Sequence, residues 1–379
     1  MRPRSILVLT HELPPLGGGA GRAMAQLCAA LSARGVAVEV WTQKPPAVPP
    51  DGFPFAVRYF ATGRRLQFQT NIPAILSYCA RAFFAGLALK RGRFDFILSN
   101  TGVPTGFLGA LLALRLKAPH AIWYHGADVH GNSPAGAGTA YRLALKAAWL
   151  RTDLHCFVSK GLLAMAEGYG LAGRPAPRMV LPLFADHVRP LEPEPGNARI
   201  FLFAGRLEAV KDPFLFLRAI LLLEQGGELP ADARFRILGG GDLFGAIGAR
   251  IRADGLSARV SLEAPIPGDG MARAYAGAFA LILTSVVEGF PLTILEAALC
   301  GVPSLGPDTL GVNEEIEDGR TGLLFPRGDA AACGRVILRL LREDGLRDAL
   351  GRNARAAAGE LSSGKSAETL LAAADRLPA

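Results

Sequence analysis

Two glutamates, Glu288 and Glu296, are the residues whose types and spacing point most directly to chemistry, with seven residues between them. The apolar run Ala280–Leu283 before them is typical of a buried strand, and Gly289 with Pro291 indicates a tight loop and then the first position of a helix. The pattern predicts a helix whose N-terminal N–H groups can bind phosphate. The two carboxylates could then accept hydrogen bonds from hydroxyl groups on either side of that phosphate, such as those of a sugar and a ribose.

The residues around this pair extend the pattern. The stretch 285–297 closely resembles the glutamate–seven–glutamate signature of the retaining glycosyltransferases of family 4, and the resemblance continues through residues 301–303 and 311–324. In that family the first glutamate contacts hydroxyls of the donor sugar and the second binds the nucleotide ribose, so the resemblance implies these roles for Glu288 and Glu296. A glutamate pair at this spacing alone is more often a solvated helix face with a loop charge, so the surrounding pattern carries the interpretation.

Two cations lie in a loop between a strand-like run and a helical one. Arg206 and Lys211 are five positions apart, where both could reach one diphosphate. A guanidinium fork and a compact ammonium both suit phosphate oxygens. Gly205-Arg206-Leu207 with Lys211 is similar to the Gly-Arg-Leu…Lys motif of the same family, which implies that the cations hold the donor pyrophosphate and stabilise it as it leaves. Asp212 stands where the family usually has glycine, and its carboxylate could weaken the local field.

A glycine-rich loop, residues 17–22, follows the first strand-like run and opens a helix. Glycines allow backbone N–H groups to approach a phosphate or a sugar. The loop is not a dinucleotide fingerprint, because Arg22 stands at the third glycine position and Glu39 lies inside the second strand, so NAD binding is disfavoured. The loop resembles the Gly-Gly segment of family 4 near the diphosphate and acceptor, with Gly18 and Gly19 at the matching positions. A simple turn is the alternative.

A histidine follows another strand-like run. His125-Gly126-Ala127-Asp128 resembles the His-Gly-x-Asp element of the family, in which the histidine lies beside the reacting sugar and helps to orient it. A lone histidine is more often structural, but its position at a strand tip before glycine favours function. Asp128 has a second interpretation as a cap of the following segment.

The resemblance therefore implies a defined set of site residues. Catalytic roles fall on His125, Arg206, Lys211 and Glu288. Substrate-binding roles fall on Gly18, Gly19, Asp128, Gly205, Gly239, Gly241, Gly289, Phe290, Leu292, Thr293 and Glu296. No Asp-x-Asp element for a metal is evident, so we expect neither an essential metal nor a cofactor besides the donor substrate.

Bulk properties limit the class of protein. The 379 residues suggest two domains, and half of the residues are hydrophobic. Five widely spaced cysteines form neither a disulfide framework nor a zinc pattern, which fits a reducing cytoplasm. The first apolar run is too short for a signal peptide, and no stretch of about 20 apolar residues predicts a membrane-spanning helix. The net charge of +8 suits anionic partners. No nucleic-acid-binding module is visible, so nucleic acid is not expected.

Strand-like runs alternate with helical patterns, which predicts α/β architecture with parallel sheets and helices on both faces. A proline-rich stretch, residues 182–196, separates two Rossmann-like halves. The pattern resembles the GT-B fold, in which two such domains face a central cleft and a C-terminal helix crosses back to the first domain. We expect an acceptor-binding domain at 1–185, a donor-binding domain at 198–355 and a returning helix at 356–379.

The resemblance implies transfer of a sugar from a nucleotide-diphosphate donor with retention of anomeric configuration. UDP is favoured over GDP on family frequency only. No enzymic nucleophile is evident, so the mechanistic hypothesis is a front-face route in which a donor phosphate oxygen accepts the acceptor's proton. The expected acceptor is a glycan or lipid-linked molecule of cell-envelope, lipopolysaccharide or exopolysaccharide biosynthesis. The oligomeric state is not indicated.

One segment of the sequence bears on whether the protein contacts a membrane. The basic, apolar residues 64–93 could rest on an anionic bilayer through their cations, and the alternative is a buried Rossmann helix with solvated basic ends. The chain is expected in the cytoplasm, with peripheral contact to the inner face of the membrane as the open question.

Other classes of function stay open. A nucleotide-sugar epimerase or hydrolase of GT-B architecture would share the donor site, and a non-catalytic nucleotide-sugar-binding protein would keep the fold and lose the motifs. The intact residues Glu288, Glu296, Arg206 and Lys211 argue against the non-catalytic alternative.

Overall fold

The computed structural model describes residues 2–46, 52–64, 72–130, 139–170, 176–192, 198–266 and 270–377. The chain divides into two compact units, each built on its own sheet. The first comprises Met1–Phe184 with Ser362–Ala379, and the second comprises Ala185–Leu361. Pro193 and Pro195 of the predicted linker lie outside the described residues.

The first unit contains a seven-stranded parallel sheet. Its strands are β1 Ser5–Leu9, β2 Ala37–Gln43, β3 Ala56–Phe60, β4 Phe96–Asn100, β5 His120–Tyr124, β6 Leu154–Phe157 and β7 Arg178–Val180. Their order is β3-β2-β1-β4-β5-β6-β7. The central strands β4 and β5 are buried along their whole length, as expected for strands covered by helices on both faces. The order reverses between β1 and β4, and ligands bind beyond the carboxyl ends of the strands at such a reversal.

Helices connect these strands. They are α1 Gly19–Ser32, α2 Ile72–Leu87, α3 Phe107–Leu116, α4 Ala127–His130, α5 Thr139–Trp149 and α6 Lys160–Gly168. The sequence predicts α2 at 75–90, three residues too late. The helix includes Pro73 in its first turn, where a residue without an N–H group costs no hydrogen bond.

Two helices of this unit, α4 and α6, have no counterpart in the sequence-based expectation. Residues 156–159 are predicted as a strand, but β6 ends at Phe157 and α6 begins at Lys160. The Ser159 side chain accepts a hydrogen bond from the backbone N–H of Leu162 at 3.2 Å, which satisfies one of the free donors at the start of α6. The sequence pattern thus places the strand two residues too late at each end, because Ser159 is the cap of a helix and not the end of the strand.

The second unit contains a six-stranded parallel sheet. Its strands are β8 Arg199–Ala204, β9 Ala233–Leu238, β10 Val260–Glu263, β11 Ala280–Ile282, β12 Ser304–Asp308 and β13 Gly322–Pro326. Their order is β10-β9-β8-β11-β12-β13, so the reversal falls between β8 and β11. Phe201 pairs with Ala280 across it. The loops after β8 and β11 are therefore expected to form the ligand-binding edge of this sheet.

Helices cover both faces of this sheet as well. They are α7 Pro213–Gln225, α8 Phe244–Ala253, α9 Gly270–Ala276, α10 Leu292–Leu299, α11 Ala330–Arg342 and α12 Leu346–Ala358. One face of the sheet buries an aromatic cluster that includes Phe201, Phe216 and Phe235. Each fully buried phenylalanine contributes about 2–3 kcal/mol by removing apolar surface from water. This packing holds the strands whose ends carry the predicted site residues.

The last helix, α13 Ser363–Asp375, belongs to the first unit, where it packs against α1. Leu370 and Leu371 are buried. The Arg34 guanidinium donates to Glu368 Oε1 at 2.8 Å. The chain thus returns to its first unit, as the sequence predicts for the C-terminal helix.

Candidate active site

The donor-side residues predicted from the sequence lie in the two loops at the strand-order reversal of the second unit. Lys211 ends the loop after β8, and Glu288 lies in the loop after β11. Backbone bonds join the loops, because the Val286 N–H donates to the Val210 carbonyl at 2.8 Å. The Thr284 hydroxyl lies 2.9 Å from the Lys211 carbonyl and 2.8 Å from the Asp212 carbonyl. The two loops therefore form one fixed surface.

The Glu288 carboxylate has two donors on the same oxygen. The Lys211 ammonium donates to Oε1, and the Ser285 hydroxyl donates to the same atom at 2.6 Å. Both partners are mostly enclosed, since the Lys211 and Glu288 side chains are 22% and 11% exposed. The structure therefore brings together the predicted sugar-binding carboxylate and one of the two predicted diphosphate-binding cations.

Arg206, the other predicted cation, is held less tightly. Its side chain is 64% exposed and donates to Glu208 Oε1 at 2.8 Å. An exposed ion pair of this kind contributes little to stability, because water solvates both charges and two long side chains must be ordered. The guanidinium can therefore leave Glu208 for a diphosphate at small cost.

Asp212 departs from the family pattern, and the structure gives the reason a glycine is usual at this position. Its backbone has φ +39°, in the left-handed region that glycine adopts most readily and aspartate tolerates better than most residues. Its side chain accepts from the Leu215 N–H at 3.1 Å and caps α7. The carboxylate is therefore engaged by the start of a helix.

Gly239 and Gly241, two of the residues with a predicted substrate-binding role, allow close packing of loops. A Cβ at Gly239 would lie 1.9 Å from the Gly205 carbonyl oxygen, and one at Gly241 would lie 2.5 Å from the Leu207 carbonyl oxygen. The Leu207 N–H also donates to the Gly240 carbonyl at 2.9 Å. These glycines thus position the loop that carries Arg206, and their contact with a nucleotide stays a prediction.

The helix after Glu288 begins one residue later than predicted. Pro291 has φ −76° and ψ 95°, so it is the N-cap, and α10 starts at Leu292. No side chain caps this helix, which leaves N–H groups of its first turn, including those of Leu292 and Thr293, for an anion. The Leu292 side chain is buried, so this residue can offer only its backbone. Gly289 and Phe290 lie in the loop just before.

Glu296 lies within α10 and has two partners that the sequence analysis did not identify. The Tyr275 hydroxyl donates to Oε2 at 2.6 Å, and His187 Nε2 lies 2.9 Å from Oε1. His187 lies in the segment between β7 and β8. Neither contact could be recognised from the sequence, because Tyr275 and His187 lie 21 and 109 positions before Glu296 in the chain.

Glu315 is a further residue that the sequence analysis left without a role. Burial, together with the charges of Glu288 and Glu314, raises the pKa of its carboxyl well above the ordinary value. Its Oε1 is buried and has no hydrogen-bond partner among the described residues. Gly311, at φ +81°, lets this loop approach the Glu288 backbone, because a Cβ there would lie 2.5 Å from the Glu288 carbonyl oxygen. A neutral carboxyl therefore lies in the environment of Glu288.

In the first unit, His125 lies just beyond the end of β5. Its Nε2 is 2.5 Å from Asn100 Oδ1, and Asn100 Nδ2 donates to the Thr10 hydroxyl at 3.0 Å. Burial lowers the pKa of His125 to about 3, with a smaller contribution from the charge of His11, so the imidazole is neutral. With Nε2–H donating to Asn100, Nδ1 is the acceptor, and it is buried without a hydrogen-bond partner among the described residues. This nitrogen can accept a hydrogen bond from a hydroxyl group.

Asp128 supports the backbone around His125. Its Oδ1 accepts from the N–H groups of His125 at 3.2 Å and Gly126 at 2.9 Å, and its Oδ2 accepts from Gly102 at 2.9 Å. Burial raises the pKa of this carboxyl, and the backbone hydrogen bonds oppose that shift. Asp128 thus joins the ends of β4 and β5, and its contact with substrate stays a prediction.

The glycine loop of this unit ends at the start of α1. Gly17 has φ +80°, and a Cβ there would lie 2.3 Å from Glu12 Oε2. Gly18 is the N-cap of α1, which has no side-chain cap, and Gly19 is its first residue. Among the described residues, apart from its two chain neighbours, no atom lies within 4 Å of a Cβ built on Gly18. The loop therefore presents open backbone at a helix N-terminus after β1, next to the strand-order reversal.

Within the described ranges, no group of three or more His, Cys, Asp or Glu side chains is arranged to hold a metal ion. The expectation that the chain needs no metal or additional cofactor stays a prediction. In the same part of the chain, no helix is both long and apolar enough to cross a membrane.

Solved structures share this fold over nearly the whole chain. Sucrose-phosphate synthase from Thermosynechococcus elongatus is 20% identical, with a TM-score of 0.81 and 97% of each chain covered. HepE from Anabaena, solved in complex with UDP and glucose, is 18% identical, with a TM-score of 0.76 and coverage of 97% of this chain and 98% of that one. The likeness confirms the predicted GT-B fold class.

The family follows from sequence comparison. The model for glycosyl transferases group 1 matches residues 186–357, and the model for the glycosyl transferase 4-like domain matches residues 18–183. A D-inositol 3-phosphate glycosyltransferase from Streptomyces bingchenggensis is 27% identical over 401 aligned positions, which cover 93% of this chain and 85% of the relative. The chain belongs to the GT-B glycosyltransferases of family 4.

Proposed function

We propose that this glycosyltransferase moves a hexose from a UDP-sugar to a glycan or lipid-linked acceptor with retention of anomeric configuration. The observation that carries the proposal is the cluster of Lys211, Ser285 and Glu288 at the strand-order reversal of the second unit, with the uncapped N-terminus of α10 following it. Hydroxyl-binding and anion-binding groups thus lie in adjacent loops, as a sugar joined to a diphosphate requires.

In the proposed reaction, the bond between the anomeric carbon and the diphosphate oxygen breaks, and an acceptor hydroxyl forms a new bond to the same face of that carbon. The acceptor's proton passes to an oxygen of the departing diphosphate. Arg206, Lys211 and the N–H groups of α10 stabilise the charge that develops on the diphosphate. Glu288 orients the sugar through its hydroxyls, and Glu296 binds the ribose. His125 orients the reacting sugar through its unprotonated Nδ1.

The uridine base is proposed because HepE, which shares this fold, is named as binding UDP and glucose. GDP and ADP are the competing nucleotides. A thermal-shift panel of UDP, GDP, ADP and their common sugar conjugates tests the base, since a ligand that binds only the folded protein raises the melting temperature with its concentration.

The donor site is tested by Arg206→Ala, with Arg320→Ala as the matched control. Arg320 is equally exposed and pairs with Glu317 just before β13. We expect a UDP-sugar to stabilise the wild type and the control, and to lose this effect in Arg206→Ala. Transfer of labelled sugar to an extracted acceptor, with anomeric configuration read by NMR, tests the reaction and its retention. Stabilisation by NAD alone would contradict the proposal, and release of free sugar without transfer would favour a hydrolase.

A lipid-linked acceptor is proposed because one surface of the first unit suits an anionic membrane. Helix α3 packs between α2 and α5, and none of the three contains an aspartate or a glutamate. Large apolar side chains on these helices are exposed, although such residues are usually buried. They are Ile72, Leu76, Phe84, Leu87, Phe107, Leu111, Leu114 and Leu143.

The charges of the α2–α3–α5 surface have one sign. Arg81, Arg115, Arg142 and Lys146 lie on these helices. An apolar surface with basic residues and no acidic ones suits an anionic bilayer, since its apolar side chains can enter the lipid interface while its cations remain near the headgroups. Arg64, the first cation of the segment predicted to contact lipid, is instead buried and donates to Gln43 Oε1 at 3.2 Å, and residues 65–71 lie outside the described part of the chain.

Sedimentation with lipid vesicles tests this surface. We expect the wild type to bind vesicles containing phosphatidylglycerol and not vesicles of phosphatidylcholine alone, with binding reduced by salt. A variant with serine at Phe84, Leu114 and Leu143 should lose binding. A control with serine at Leu222 and Phe244, exposed apolar residues of the second unit, should retain it. Equal binding by both variants would exclude the α2–α3–α5 surface as the membrane contact.

A further inference from the structure

The Glu296 carboxylate is held by side chains from two other elements. Tyr275, fully buried on α9, donates its hydroxyl to Oε2 at 2.6 Å, and His187 Nε2 lies 2.9 Å from Oε1. The Glu296 side chain is only 6% exposed. One donor on each oxygen fixes the orientation of the carboxylate plane as well as its position.

Both donors are themselves anchored in one apolar core. Tyr275 packs there with Ile294 of α10, and Val188 packs against the same cluster. The Val188 N–H donates to the Ala185 carbonyl at 2.9 Å, which closes the turn that carries His187. The donors and the helix bearing Glu296 are therefore positioned by the same packing, and Glu296 does not need to reorganise when a ligand binds.

The two contacts fix the directions in which the Glu296 carboxylate accepts hydrogen bonds. A carboxylate has about four lone-pair sites, two on each oxygen. Tyr275 and His187 each donate to a different oxygen, so the plane in which the carboxylate accepts hydrogen bonds is fixed. Two adjacent hydroxyl groups, as in the 2′,3′-diol of a ribose, match two acceptor sites on one fixed carboxylate.

We propose that Tyr275 and His187 are positioning residues that orient the Glu296 carboxylate toward the ribose diol of the donor nucleotide. They act through Glu296, and this inference rests on the ribose-binding role that the proposed function gives to that residue. Without them the carboxylate would sample several rotamers, and the preference of the site for a ribose over a deoxyribose would fall.

The test measures that preference directly. Calorimetric titration compares UDP with 2′-deoxy-UDP and 3′-deoxy-UDP on the wild type, Tyr275→Phe, His187→Ala and His187→Gln. A hydrogen bond to a charged group corresponds to about tenfold or more in affinity, so we expect the wild type to prefer UDP by at least that factor. Tyr275→Phe and His187→Ala should bring the ratio close to one. His187→Gln retains a side-chain N–H donor and should restore most of it.

The control variant is Tyr169→Phe, at an exposed tyrosine of the first unit, and it should keep the wild-type ratio. If Tyr275→Phe and His187→Ala weaken UDP and both deoxy forms equally, the side chains only support the fold, and the inference is overturned while the glycosyltransferase proposal stands. If the wild type binds all three forms equally, Glu296 does not bind the ribose and the inference falls, whereas sugar transfer then decides the proposed function separately. If the thermal-shift panel selects GDP, the three forms of GDP replace those of UDP.

Discussion

At the residue scale, the proposed donor side consists of groups that share an enclosed environment. Lys211 and Ser285 donate to the same oxygen of Glu288, while Glu315 keeps its proton because burial raises its pKa well above the ordinary value. Because Glu315 is neutral, Glu288 and Glu315 together contribute one negative charge, and the Lys211 ammonium balances it. In the proposed function, a diphosphate near Lys211 therefore meets no surplus of negative charge from these groups.

The role of Glu288 is tested by Glu288→Gln, which keeps the shape of the side chain and removes its charge. We expect transfer activity, as kcat/KM, to fall about 10- to 100-fold, because hydrogen bonds from sugar hydroxyls to a charged acceptor are worth about 1.5–3 kcal/mol each. The melting temperature should change little. Glu317→Gln, at an exposed glutamate of the same unit, is the control and should retain full activity. A Glu288→Gln enzyme with normal kcat/KM would remove Glu288 from the site.

Glu315 gives a prediction for pH and stability. The folded protein keeps this proton to a pH well above about 4.3, where the unfolded chain releases it, so the wild type loses stability as the pH rises above that value. Glu315→Gln cannot ionise and should not share this loss. We therefore expect the difference between the denaturant midpoints of Glu315→Gln and the wild type to increase in favour of Glu315→Gln from about pH 5 to about pH 8.

The control for this prediction is Glu317→Gln, at an exposed glutamate of the same unit that does not contribute to the raised pKa of Glu315. Its midpoint should run parallel to that of the wild type over the same pH range. A constant difference between Glu315→Gln and the wild type would show that the Glu315 carboxyl is not protonated in the folded state.

Sequence patterns identify the residues that project from loops at strand ends, such as Arg206, Lys211 and Glu288, because each motif is local. Tyr275 and His187 could not be found in this way, since they reach Glu296 only through the packing of distant elements. Glu315 was visible in the sequence, but its protonation depends on burial that the loop acquires only when folded. The local parts of the candidate site could thus be proposed from the sequence, and the residues that hold them in place could not.

At the element scale, the loop after β8 depends on one unusual backbone angle. Asp212 has φ +39° and caps α7 through its side chain, so it serves both the loop that carries Lys211 and the helix that follows. The same conformation explains why the family usually has glycine here. Glycine would adopt the angle without strain but would provide no side-chain cap.

We expect Asp212→Ala to lower the free energy of unfolding by about 2–3 kcal/mol, because it loses the cap and places an alanine in the left-handed region. Asp212→Gly should cost about 1 kcal/mol or less, since the strain is absent. Asp329→Ala is the matched control, because Asp329 caps α11 with an ordinary φ of −93° and should cost about 1 kcal/mol. Chemical denaturation monitored by circular dichroism measures all three. Equal losses for the two alanine variants would contradict the backbone argument.

The ends of helices were predicted less well than the strands. Apolar runs located β8 at its observed residues, but α10 begins at Leu292 because Pro291 has an extended backbone, and α6 was missed because Ser159 acts as a cap. Caps depend on a single dihedral angle and a single hydrogen bond, and a sequence pattern averages over several residues. The rule that parallel crossovers have one hand limits the possible strand orders, and the alternation of strands and helices predicts the α/β class, whereas the GT-B fold was implied by the family resemblance.

At the scale of the whole molecule, the two units differ in their buried ionisable groups. The first unit contains His120 and His155, both almost fully buried, as well as His125. Burial lowers the pKa of each to about 3, and the second unit contains no histidine except His187. The response of the units to mild acid should therefore differ.

We expect the first unit to lose stability as the pH falls below about 6.5, before the second unit does. Unfolding exposes these histidines, and the unfolded chain binds protons from about pH 6.5 downward, whereas the folded unit binds them only near pH 3. Each such histidine can remove up to about 1.4 kcal/mol per pH unit in that window. Hydrogen exchange read by mass spectrometry, corrected for the intrinsic effect of pH, should show β4, β5 and β6 losing protection between about pH 6.5 and 5 while β8 and β11 keep theirs. His120→Gln should make this loss shallower, because glutamine cannot take up the proton. If both sheets lose protection together in that range, the prediction is contradicted. Protonation of carboxylates, which both units contain, would then govern acid unfolding in place of the buried histidines.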